Sequence, residues 1–181
     1  MGGCFVIKKL HNYLTNISML KFILITSIVP YFISYIAFFL IEYFVKPLPN
    51  DIIKINNLLI TNISSTINGI LFAPLGETLI CQVIIIGIFL YYSYSKTIQI
   101  IAVIVSSICF GIPHFFNTND VIWGSFWAIQ AGVKGLIWGY AFIVYFFKSK
   151  RIDVAGFVVF SEHSINNLLG IVITFIIYKL L

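Results

Sequence analysis

Charged side chains are scarce in this sequence: Lys, Arg, Asp and Glu make up 9% of its 181 residues, against 60% hydrophobic residues. A soluble domain of this length needs roughly a quarter of its residues charged to cover its surface. The scarcity, with a mean hydropathy of +1.04, excludes an ordinary soluble domain. Apolar residues that alternate with polar ones are also missing, which excludes a transmembrane β-barrel. Cysteine is sparse and scattered at Cys4, Cys81 and Cys109 with no CxxC pair, so neither a disulfide framework nor a cysteine metal site is indicated. There is no HExxH, which removes the usual zinc-protease helix. No Ser-His-Asp or Cys-His arrangement stands out; Ser161 and Ser164 flank His163, but adjacency does not make a triad. The opening MGGCFV lacks the Ser or Thr of a myristoylation signal. Repeats and low-complexity stretches are absent as well. The net charge of +5 fits basic loops beside an anionic leaflet, with the lipid bilayer as partner and no nucleic acid.

What is present is a series of long apolar runs. A spanning helix needs about 20 mostly apolar residues. Five segments qualify, at 22–45, 66–94, 97–116, 121–147 and 152–178. The expected fold class is therefore all-α: a polytopic transmembrane helical bundle of about five spans, in a multi-pass integral membrane protein. The first segment carries Pro30 and one acid, Glu42, and no small-residue cleavage site follows it, so it reads as a retained helix. Residues 46–65 form the longest polar connection and are expected to hold a short interfacial helix. Two parts result: 1–65, with an N-terminal cytoplasmic segment, the first span and the polar connection, and 66–181, a single four-helix domain. A cytoplasmic N-terminus places Lys8, Lys9, Lys21, Lys96, Lys148, Lys150 and Arg151 on that side, against Lys46, Lys54 and Lys179 on the other, as the positive-inside rule requires.

The informative residues are the polar ones inside these runs. APLGETLICQ puts Glu77 well within the second span, where an acid costs a few kcal/mol and faces a bundle interior or a wet cavity. Either a protonated glutamate joins helices there, or it serves as a general base, ion ligand or proton carrier. Pro74 and Gly76 just before it loosen the helix and admit water. In CFGIPHFFN, Phe110 and His114 are four apart and share a face, although an imidazole at the membrane interface is inexpensive. In FSEHSINNL, His163 and Asn167 are four apart, as are Glu162 and Asn166 on a face rotated by about 100°. Asn and His can join helices, yet so many polar groups in mid-span point to a water-containing site. Glu77, His114, His163 and Asn167 together suit hydrolysis by activated water, with an imidazole or amide for the oxyanion. They equally suit a divalent metal such as zinc, bound by Glu77, His114 and His163. Lys134 lies inside the fourth span without an i,i+4 partner, and its role stays open.

Three motifs carry a resemblance. ETLICQ stands where a family motif EExxxR would lie, FxxxH is intact as Phe110 to His114, and HxxxN is intact as His163 to Asn167. FWAIQAGVKGLIWGYAF between them places Gly132, Gly135 and Gly139 for close helix packing. In this order and spacing, residues 66–178 resemble the CPBP family of CAAX proteases and bacteriocin-processing enzymes, or Abi domain, which includes the type II CAAX prenyl endopeptidase. The resemblance implies an intramembrane endopeptidase with a four-helix catalytic core, acting on a membrane-associated or hydrophobic peptide. Glu77 and His114 would activate the water, and His163 and Asn167 would form the oxyanion site. The resemblance leaves metal dependence undecided, with no certain cofactor. Thr78 and Gln82 depart from the motif, replacing its second acid and its arginine. They favour an alternative: a catalytically impaired member acting in bacteriocin self-immunity or as a membrane scaffold. A third reading, a small transporter or channel subunit using Glu77 and Lys134, gives no reason for the FxxxH and HxxxN spacing. The short chain without added domains favours the prokaryotic type, in a cell membrane.

Overall fold

The computed structural model describes residues 2–180, with the side chains of 2–7, 51, 52, 55, 56 and 177–180, and hence Cys4 and Lys179, outside the described residues. Among the described residues seven helices follow one another: α1 (Gly2–Asn16), α2 (Met19–Phe44), α3 (Asn50–Thr61), α4 (Ile63–Tyr92), α5 (Lys96–His114, continued by a 3-10 turn to Asn117), α6 (Val121–Ser149) and α7 (Ile152–Leu180). Five of them, α2 and α4 to α7, are long and apolar enough to cross a membrane, so the five expected spans are all present. The bundle is all-α among the described residues, and the connection 46–65 holds the expected short helix as α3. Helical α1 was not foreseen. It docks on the end of α6, where His11 Nδ1 and Tyr140 Oη lie 2.7 Å apart and Lys148 Nζ donates to the Thr15 carbonyl at 3.2 Å.

The helix ends follow from local chemistry. Ser18, Asn62, Ser95 and Asp120 each accept backbone N–H groups of the following first turn, which satisfies donors that a helix start leaves orphaned. At the other end of α6, Lys150 turns the chain with φ of 59°, and α7 starts two residues later. Antiparallel neighbours α4–α5, α5–α6 and α6–α7 pack in sequence, α4 returns to α7, and α2 lies on the outer side of α7. The core between them holds Phe22, Ile86, Leu90, Phe110, Trp138, Phe142, Val158 and Val159. The opposite helix faces expose large apolar residues at helical spacing, such as Ile104, Ile108 and Ile112 on α5 or Ile80, Ile84 and Ile88 on α4. Such stripes are tolerable where the surrounding solvent is hydrocarbon.

The α5–α6 seam is the tightest. A Cβ on Gly111 would stand 2.7 Å from the Ala128 carbonyl oxygen, and one on Gly135 would stand 3.0 Å from Ser107 Cα. Ser107 Oγ donates to the Gly132 carbonyl across the same seam at 2.6 Å. This backbone approach fixes how deep His114 sits beside α6.

Candidate active site

The second span is not a uniform helix. Two stretches of wider, π-type turns, Asn68–Phe72 and Thr78–Ile84, flank the α-helical residues Ala73–Glu77. In the first stretch the Ala73 N–H reaches back five residues to the Asn68 carbonyl. The next bond in that register would run from residue 74 to Gly69, but Pro74 has no N–H. The Gly69 carbonyl accepts instead from Asn167 Nδ2 of α7, at 2.8 Å. Proline and a widened turn thus open a backbone acceptor to a side chain from another helix, an arrangement common where π-bulges serve a site. The loosening expected from Pro74 and Gly76 takes this form.

Three residues after Pro74, Glu77 meets α7. Its Oε2 lies 3.4 Å from His163 Nε2, with the His163 side chain 3% exposed and that of Glu77 40% exposed. One partner is therefore held inside the bundle while the other reaches the surroundings. The imidazole of His163 is fixed by aromatic rings. Trp138 of α6 stacks on it with centroids 4.2 Å apart, and Phe110 of α5 meets it edge-on at 5.4 Å. Phe110 also lies against His114, at 4.8 Å, and against Trp138, at 5.1 Å. The FxxxH motif thus supplies a wedge between the two histidines as well as an imidazole. His114 Nδ1 lies 2.8 Å from the Phe110 carbonyl. A carbonyl only accepts, so Nδ1 carries the proton and the lone pair of the neutral ring is on Nε2.

Glu77, His114, His163 and Asn167 come from α4, α5 and α7, and α6 contributes the ring that orients His163. Glu77 and His163 are directly paired. Phe110 lies against both the His114 and His163 rings, and Asn167 is anchored to Gly69. As placed, these donors do not fit a metal: among the described residues no three His, Cys, Asp or Glu side chains converge on one point. Zinc in a protein takes three or four such ligands, which this placement does not bring together.

The polar run of α7 divides, and this corrects the expectation of one water-containing site for all of it. Glu162 and Asn166 turn away from Glu77 toward α2. Thr26 Oγ1 donates to Glu162 Oε1 at 2.6 Å, and Asn166 Nδ2 donates to the Ser27 carbonyl at 3.2 Å. For this pair, helix-joining hydrogen bonds are the account. Asn166 also gives Lys134 the partner that its own helix lacks, accepting from Nζ at 2.9 Å. None of these inter-helix contacts was readable from spacing, because each needs the register between two separate spans. Thr78 and Gln82 both point inward, with Gln82 fully buried, and neither side chain makes a hydrogen bond among the described residues.

A bundle with five apolar spans, and a carboxylate, two imidazoles and an amide within them, is a multi-pass membrane protein. The chain belongs to the family described as type II CAAX prenyl endopeptidase Rce1-like, whose model matches residues 59–169. The match begins in α3, ends two residues beyond Asn167, and leaves α1 and α2 outside it. It makes this chain a member of a membrane endopeptidase family. No curated protein and no solved structure matches it.

Proposed function

We propose that this protein is an intramembrane endopeptidase that hydrolyses a membrane-associated or hydrophobic peptide with water activated by Glu77 and its neighbouring histidines. The observation that carries this reading is the Glu77–His163 pair: a partly open carboxylate touching a buried imidazole clamped between two aromatic rings. An imidazole held in this way can keep a carboxylate oriented and accept or return a proton as it works. His114 offers the unprotonated Nε2 of its neutral ring as a second base. Asn167, tied to Gly69 by one N–H, retains a second N–H for a substrate oxygen. A cavity of about 260 Å³ between α3, α4 and α7 is lined by Ile60, Thr66, Ile70, Leu168 and Val172 among others. Its apolar walls suit a hydrophobic chain.

Purified protein in liposomes, tested on a panel of membrane peptides, checks this. Cleavage by the wild type, lost in Glu77→Gln and in His163→Phe at equal abundance, is the expected result. His163→Phe keeps a ring between Trp138 and Phe110 while removing the nitrogen. A second reading rests on Thr78 and Gln82, whose buried side chains make no hydrogen bond among the described residues: a member that has lost turnover and serves in self-immunity or as a scaffold. It predicts that Glu77→Gln leaves the protein's cellular function intact.

A further inference from the structure

Asn167 stands at the head of an apolar stripe. One turn further along α7 comes Ile171, and Leu168 is followed in the same way by Val172. The line of His163 and Asn167 thus continues into residues that wall the cavity between α3, α4 and α7. Gly69 bridges the same step from α4. Its carbonyl accepts from Asn167 Nδ2 at 2.8 Å, and a Cβ built on it would stand 3.7 Å from Cδ1 of Ile171. The same Cβ would stand 3.2 Å from Cδ2 of Leu59 on α3. A residue without a side chain therefore lies between the Asn167 amide and a wall of the cavity, and Ile70, next in the chain, is another wall.

The lining is chemically uniform. Among the described residues Thr66 is its one polar member, and the Thr66 hydroxyl proton is engaged by the carbonyls of Leu59 and Asn62. The bond to Leu59 also ties α3, which supplies Ile60 as the far wall, to the start of α4. Leu168 and Val172 are exposed, so the cavity opens sideways toward hydrocarbon. Its volume is about 260 Å³. An apolar cavity of about 150 Å³ already takes up a benzene ring. There is room for a leucine, phenylalanine or tryptophan side chain, whereas a charged one would find no partner.

We infer that this cavity is the specificity subsite of the site: it takes one large aliphatic or aromatic side chain of the substrate peptide, from a residue within two positions of the cleaved carbonyl. The inference rests on the peptidase reading above, which gives the second N–H of Asn167 to a substrate oxygen. From Asn167 to Ile171 is about 6 Å along the helix. An extended peptide covers that distance in about two residues, at about 3.3 Å each. A side chain seated among Ile70, Leu168, Ile171 and Val172 therefore fixes the register in which the chain passes Asn167 and Glu77. The sideways opening lets the peptide enter from the hydrocarbon without exposing its apolar side chain to water.

The test uses a peptide from the panel that the wild type cleaves in liposomes, with the cleaved bond mapped by mass spectrometry. Each residue within two positions of that bond is replaced in turn by Ala, Phe and Lys. At one position Phe is expected to exceed Ala in kcat/KM by at least about tenfold, with Lys below Ala. Ile70→Phe and Val172→Phe, which add a ring to the walls, should each lower that Phe-to-Ala ratio at least about tenfold. A general loss of folded protein leaves the ratio unmoved. Glu77→Gln, irradiated with the peptide carrying benzoylphenylalanine at the preferred position, should cross-link within residues 66–70 or 168–175. Equal cleavage of the Ala, Phe and Lys peptides at every position overturns the inference and leaves the cavity to lipid chains. An unchanged ratio in both filled variants, or cross-linking confined to other segments, overturns it as well. Absence of cleavage by a folded wild type overturns the peptidase reading itself and this inference with it.

Discussion

Asn167 donates its amide to the carbonyl of Gly69, 98 residues earlier in the chain, and Pro74 leaves that carbonyl free to accept it. The contact joins the HxxxN motif to the turn that precedes Glu77. It makes the geometry of the carboxylate depend on a missing N–H.

Restoring that N–H should weaken the arrangement. In Pro74→Ala the new amide competes for Gly69 in the register already begun by Ala73. Activity is expected to fall about tenfold while the melting temperature holds or rises, since a helix-interior proline is removed. Asn167→Ala should lose more activity, and about 1 kcal/mol of stability from the lost hydrogen bond. Peptide cleavage and thermal melting in detergent, run on both variants, check the two halves separately.

The α5–α6 seam predicts opposite outcomes for two glycines. Gly111→Ala forces a methyl to within 2.7 Å of a backbone oxygen, and the helices must separate. A loss of about 1–3 kcal/mol is expected, as for other overpacked sites. Gly76→Ala meets nothing within 4 Å and should be neutral or stabilising by up to about 1 kcal/mol. Equal melting temperatures for the two variants would contradict the packing described.

Thr26 and Glu162 tie the first span, which the family match leaves out, to the helix that carries His163. Thr26→Val keeps the shape of the side chain but leaves a fully buried carboxyl without its donor. The cost should be about 1–3 kcal/mol. Thr26→Ser, which retains the hydroxyl, should recover most of it. Urea unfolding in mixed micelles provides the comparison.

Outside the spans, Lys46 pairs with Asp120, and the Asp120 carboxyl also accepts the N–H groups of Ile122 and Trp123. The Lys46 hydrogen bond is the main cause, and those backbone bonds a further one, of a pKa held below the ordinary 3.8. The unfolded chain then binds this proton more readily than the folded one. The stabilisation is complete above pH 3.8 and is lost as pH falls through the lower folded value. The melting temperature of wild type should therefore drop between pH 4 and lower pH more steeply than that of Lys46→Met. Parallel curves for the two proteins would remove the pair from the stability of this loop.

The five spans and the short helix in the polar connection were legible in the sequence, because in a bilayer each span must satisfy its own backbone and carry its own apolar length. Glu77, His114, His163 and Asn167 could be named for a related reason: polar groups are rare enough in hydrocarbon to mark themselves. Pairing was another matter. Which histidine meets Glu77, that Glu162 and Asn166 face α2, and that Lys134 finds Asn166 all depend on the rotation and depth of one span against another. A helix fixes which of its residues share a face, but not which neighbour that face meets. Here backbone contact at Gly111 and Gly135, the aromatic wedge of Phe110 and Trp138, and an acceptor freed by proline decided it.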